Sequence, residues 1–88
     1  HGAHLPPSEV AKKRWMDRVL VRQDGKSTVV KLADVTVIES EGNYVHLHVG
    51  RTKHVIRETL SHLESQLDPE RFLRIHRRLI VNIEAIQE

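Results

Sequence analysis

The chain has 88 residues, no cysteine and a formal charge of +2. That length gives one modest domain with little stability to spare, and the missing thiols exclude a disulfide framework and every thiolate metal site. No apolar run approaches the roughly 20 residues needed to cross a bilayer and nothing reads as a signal peptide, so no membrane partner is expected and a reducing, cytoplasmic setting suits the chain.

Residues 1–16, "HGAHLPPSEVAKKRWM", read as a linker or tag-derived tail, with Pro6-Pro7 and no sustained apolar pattern. Ser8 is a candidate N-cap for a short helix there. The domain is expected over 17–88. "RVLVR" and "STVVKL" are strand-like, and between them Asp24-Gly25 tolerates the positive φ angles of a tight hairpin reversal. "DVTVIES" follows, with Val35 and Val37 on one face and Thr36 and Ile38 on the other. Glu41 to Asn43 form a second turn. In "YVHLHV", Val45, Leu47 and Val49 alternate with Tyr44, His46 and His48, the period of a half-buried strand. "GRTK" reverses the chain into "HVI".

In "RETLSHLESQL", Leu60, Leu63 and Leu67 recur at helical spacing, and Asp68-Pro69 ends the helix because a residue before proline is pushed out of the α region. The stretch from Phe72 to Ile86 is again strand-like, broken at His76-Arg77-Arg78. The expected order is three or four strands, one amphipathic helix, then one or two strands. This is a mostly β (α+β) domain.

Catalysis finds no support. The chain has no Gly-rich phosphate loop, no G-x-S-x-G and no H-E-x-x-H. Glu39 and Glu41 flank a turn and read as a solvated edge, so no catalytic residue or cofactor is assigned. His46 and His48 share a strand face, and His54 on a neighbouring strand would make three imidazoles for a metal. The plainer reading is a polar sheet face, and no metal is assigned.

"RFLRIHRRLIVN" (71–82) is more informative, with four arginines and a histidine, no acid, and core-like residues on both sides. Buried arginines would each need a partner. Asp68 and Glu70 are near enough to pair with Arg71, but not with Arg77 or Arg78. The stretch therefore reads as two anchored strands around an exposed basic loop, suited to phosphate or to the edge of guanine. A solvated basic edge that discourages strand pairing is the alternative.

"DVTVIESEGNYVHLHV", "HVIRETLSHLESQL" and "RFLRIHRRLIVNIEAI", in that order, resemble the LytTR-type DNA-binding domain of bacterial transcription regulators, over about Val19 to Ile86. The resemblance implies short antiparallel strands in an elongated arrangement. It also implies loops, not a recognition helix, inserted into successive major grooves of a bent duplex. On matching positions, Asn43, Tyr44 and Arg77 would face bases, while His76, Arg78 and Arg74 would lie near backbone phosphates. Asn82 would be scaffold, satisfying backbone groups at a strand end. Members of the family usually continue past "VNIEAIQE" with a further hairpin and an arginine-bearing end, whereas this chain stops at Glu88. A third contact is therefore expected to be missing, and an unpaired edge to favour dimerisation.

Two functions follow. The first is sequence-specific binding of double-stranded promoter DNA, as the output domain of a two-component response regulator whose upstream sensory or receiver domain is absent from this chain. Two such domains would pair on promoter repeats. The alternative is a protein-interaction or oligomerisation module with a basic edge. One Trp, one Tyr and one Phe are few for a protein interface or for stacking single-stranded bases, and double-stranded DNA is least troubled by that shortage.

Overall fold

In the computed structural model, which describes residues 15–85, the Asp-Gly reversal falls where the sequence places it. β1 (Arg18–Gln23) and β2 (Lys26–Lys31) pair antiparallel through a two-residue loop. Asp24 and Gly25 there have φ of 52° and 75°, the mirror-image turn that matches strand twist. The hairpin sends Val21 and Val30 into the core and leaves the facing pair Leu20 and Val29 exposed. A 3-10 turn at Leu32–Asp34 leads into β3 (Val37–Glu41), β4 (Tyr44–Val49) and β5 (Thr52–Arg57). Helix α1 (Leu60–Glu64), β6 (Phe72–His76), β7 (Leu79–Asn82) and a 3-10 turn at Ile83–Ala85 complete the described chain.

The later five strands make one antiparallel sheet in the order β5-β4-β3-β7-β6. β3 is central. Its Ile38 faces Leu47 of β4 and Ile80 of β7, and all three are fully buried. The β1–β2 hairpin and the leucines Leu60, Leu63 and Leu67 close over this row to form a single core. The result is elongated, 52 × 36 × 23 Å. No helix among the described residues is long and apolar enough to cross a membrane.

The structure departs from the sequence-based expectation in several places. Five strands precede the helix, because Thr52–Arg57 pairs with β4 along its full length although only "HVI" looked strand-like. Val35 does not share a strand face with Val37: it follows the 3-10 turn and is buried, whereas Val37 lies on the outer sheet face. The helix spans five residues rather than eleven. Arg57 belongs to β5, and Thr59 caps the helix by accepting from the His62 N–H at 3.1 Å. After Glu64 the turn tightens: Gln66 and Leu67 donate three residues back, to the carbonyls of Leu63 and Glu64. The strand-like stretch expected to run to Ile86 stops at Asn82, because the chain turns into the 3-10 turn at Ile83–Ala85. The expected helix start at Ser8 lies outside the described residues.

Asn82 is 3 % exposed and ties the sheet to the segment before β3. Its Nδ2 donates to the Val35 carbonyl at 2.8 Å, and its Oδ1 accepts from the Glu84 N–H at 3.0 Å. Replacing Asn82 with Ala leaves both groups without that partner. Urea denaturation is expected to show a loss of about 1–3 kcal/mol for Asn82→Ala with an unchanged m-value.

Candidate nucleic-acid interface

Antiparallel pairing of β3 with β7 brings two hairpin tips to the same end of the sheet. β3 enters the turn Gly42-Asn43 at the end where β7 leaves the turn Arg77-Arg78. The β3–β4 loop has two residues, and Gly42 at its first position has a φ of 62°, as a type II′ reversal requires. Asn43 and Tyr44 are exposed there.

The β6–β7 tip is built differently. Neither Arg77 nor Arg78 has a positive φ, and the register shifts between Arg74 and His76, so Ile75 is an extra residue on β6. A bulge of this kind bends its strand and re-aims the side chains beyond it. His76, Arg77 and Arg78 are all exposed. The two tips are stitched together: the Ser40 N–H donates to the Arg78 carbonyl at 2.9 Å, and Arg78 Nε donates to the Ser40 carbonyl at 3.3 Å. The Arg78 N–H donates to His76 Nδ1 at 3.2 Å, which leaves Nε2 as the ring's N–H donor when neutral.

The four arginines of 71–82 separate into two kinds. Arg71 pairs at 3.6 Å with Glu84 in the 3-10 turn after β7, rather than with Asp68 or Glu70. Arg74 pairs with Glu64 at 2.9 Å. Arg77 and Arg78 have no acidic partner among the described residues, and the Arg77 guanidinium has no partner at all among them. These two carry the uncompensated charge of the tip. The acids nearest the tips are engaged along β4: Glu41 with His46 at 3.1 Å and Glu39 with His48 at 3.4 Å. Glu39, His76, Arg78 and Leu79 line a shallow depression on this edge.

The structure therefore places Asn43, Tyr44, His76, Arg77 and Arg78 along one edge. Arg74 stands behind it, its side chain 24 % exposed. Arg57 joins the same edge, since it faces Tyr44 across β4 and β5. The sequence reading assigned Arg57 to the helix, although its place directly after "TKHVI" was a signal that the strand continued. The three histidines do not converge. His46 and His48 face Val55 and Lys53, whereas His54 faces Leu47 on the opposite side of the sheet. No group of three metal-ligating side chains occurs among the described residues.

The chain matches a family model described as the LytTr DNA-binding domain over residues 25–88. It is 26% identical to a sensory transduction protein LytR of Streptococcus mutans over 88 residues, all of this chain and 36% of that protein. It is 28% identical to a CO-responsive transcriptional regulator RcoM of Rhodospirillum rubrum over 82 residues, 93% of this chain and 35% of the regulator. The chain thus spans about a third of the length of the curated relatives it matches. Among solved structures, a LytTr DNA-binding domain from Bacillus cereus superposes with a TM-score of 0.73 at 20% identity, covering 83% of this chain and 67% of the other. That likeness shows the fold.

A methyl group on Gly42 would meet no atom within 4 Å, so substitution there costs backbone strain alone. Gly42→Ala is expected to lower stability in urea by about 1–2 kcal/mol, the penalty for an L-residue in the left-handed region.

Proposed function

Since the chain belongs to the LytTr DNA-binding domain family, we propose that it binds double-stranded DNA in a sequence-specific way through the shared edge of its two hairpin tips. The observation that carries this reading is the pairing of Arg77 and Arg78, exposed and without an acidic partner, on a tip pinned to the neighbouring hairpin. Phosphate is the counterion such a tip lacks. Arg77, with its free guanidinium, faces base edges together with Asn43 and Tyr44; His76 and Arg78 face backbone phosphates. Arg74, also expected near phosphate, has most of its donors engaged inside the domain.

Neighbouring strands lie about 4.8 Å apart, so the centres of the two tips are about 10 Å apart. Successive major grooves are about 34 Å apart. The two tips therefore work within one helical turn of the duplex, and a successive groove would need another contact. Loops rather than a helix reach the groove, since α1 is short and its leucines are buried in the core.

By analogy with the longer relatives, the domain is the output part of a cytoplasmic transcription regulator, controlled by a sensory or receiver domain and paired with a second copy on promoter repeats. A protein-interaction role is the second reading. The exposed Leu20–Val29 pair, with Arg18, Arg22 and Lys31 on the same hairpin face, favours an acidic, partly apolar partner.

Fluorescence anisotropy of a duplex selected by this chain from a random pool, with a scrambled duplex as control, tests the reading across a salt series. Arg77→Ala is expected to lose about 1–3 kcal/mol of discrimination between the two duplexes. Arg78→Ala is expected to weaken both equally and reduce the salt slope by about one. Salt-insensitive binding, or equal effects of the two substitutions on discrimination, would falsify the assignment.

A further inference from the structure

The Arg74 guanidinium is held from both sides. Nη1 donates to Glu64 Oε1 at 2.9 Å and to Ser61 Oγ at 3.1 Å, both on α1. Nε donates to the His76 carbonyl at 3.3 Å, and Nη2 donates to the Arg77 carbonyl. A guanidinium has five N–H donors in a fixed plane, and these contacts leave about one of them for any outside acceptor. From this geometry we infer that Arg74, Glu64 and Ser61 form a brace that positions the Arg77 tip and thereby sets sequence discrimination. The inference deepens the DNA-binding reading and rests on it.

The tip needs such a brace. It lies beyond the bulge at Ile75, where the regular β6–β7 register has shifted, and it has no glycine or positive-φ residue to fix its turn. On one side, the Ser40 N–H holds the Arg78 carbonyl, a backbone bond that Arg78→Ala leaves in place. On the other, Arg74 carries the carbonyls of His76 and Arg77 back to α1. The Arg77 side chain leaves the backbone between the two carbonyls that Arg74 holds, one residue before the carbonyl held by Ser40. An arginine discriminates bases only when its fork is held within about 0.5 Å of the reading position, so the attachments matter more to specificity than to general affinity. Lysine at 74 would offer a point charge without the planar set of donors and would not span carboxylate and carbonyls together.

Glu64 gives the brace a distinctive sign. Removing an acid near a DNA-binding edge strengthens non-specific binding by charge alone. The brace predicts that Glu64→Gln nonetheless loses discrimination, because Arg74 exchanges its charge-assisted bond to α1 for weaker bonds to neutral acceptors. Glu64 touches no DNA in this arrangement; it is a positioning residue that acts through Arg74.

The test uses the 88-residue chain, Glu64→Gln, Arg77→Ala and the double variant. Amide hydrogen exchange on the free proteins is read at Ser40 and Arg78, and affinity is read for the selected and scrambled duplexes. Urea midpoints establish that each variant is folded. Glu64→Gln is expected to accelerate exchange at Ser40 and Arg78 but not at Ile38, and to lower the affinity ratio about five-fold, the difference between a carboxylate and a neutral amide as acceptor. In the Arg77→Ala background Glu64→Gln should change the ratio no further, since both act on one contact. Ser61→Ala, a milder lesion of the same brace, should shift both readouts in the same direction and by less.

Unchanged exchange, or an equal loss of discrimination in both backgrounds, overturns the brace. If Arg77→Ala lowers the ratio and Glu64→Gln does not, the brace fails and the DNA-binding reading stands. If Arg77→Ala leaves the ratio unchanged, the base-reading role fails and the inference falls with it.

Discussion

Three residue pairs join β3 to β7: Val37 with Val81, Ile38 with Ile80, and Glu39 with Leu79. They are distant in sequence, and closing the intervening chain carries an entropic cost that local hairpins avoid. Burial of Ile38 between Leu47 and Ile80 offsets it, and because side chains alternate, a slip of one residue would turn Ile38 out of the core. The register is thus set by the core, and the register sets the edge. With Ile38 opposite Ile80, Ser40 must meet Arg78, and the Gly42-Asn43 and Arg77-Arg78 turns must lie side by side. The position of the basic tip follows from hydrophobic packing two residues away from it.

The charge on this tip is selective. Arginine appears four times between positions 71 and 78, yet the fold uses the four differently. Arg71 pairs with Glu84 at the far end of β6, and Arg74 turns inward to Glu64. Arg77 and Arg78 remain. The residues that remain uncompensated are those beyond the bulge, where the strand ladder no longer dictates their direction. Glu39 and Glu41, close to the tips, are engaged by His48 and His46 on β4. His46 and His48, which the sequence offers as a polar sheet face or as metal ligands, lie against these two carboxylates.

Local patterns were legible in the sequence where local physics decides them. Asp24-Gly25 specifies a mirror-image turn by steric tolerance, and "YVHLHV" has the period of a strand with one buried face. The basic loop between two strands in "RFLRIHRRLIVN" was legible too, although of the core-like residues before it only Phe72 is buried, and Leu73 and Ile75 are exposed on the edge strand. Less legible were features settled by non-local partners. β5 looked short because Thr52, Lys53 and Arg57 are polar, and only pairing with β4 makes them a strand. The helix looked long because its leucine spacing continues to Leu67, whereas capping at Thr59 and the tightened turn after Glu64 confine it. Arg74 looked equivalent to its neighbours. Its distinction arises from Ser61 and Glu64 on the preceding helix, which no spacing within 71–82 reveals.

In the proposed DNA-binding mode the hairpin-tip edge, and not the β1–β2 face or the helix, meets the duplex. Amide chemical-shift mapping of the 88-residue chain during titration with a DNA duplex tests it most directly. Perturbations are expected to concentrate at 40–44 and 76–79, with Arg57 included and with Leu20 and Val29 unaffected. Perturbations centred on the Leu20–Val29 face, with the tips silent, would contradict it.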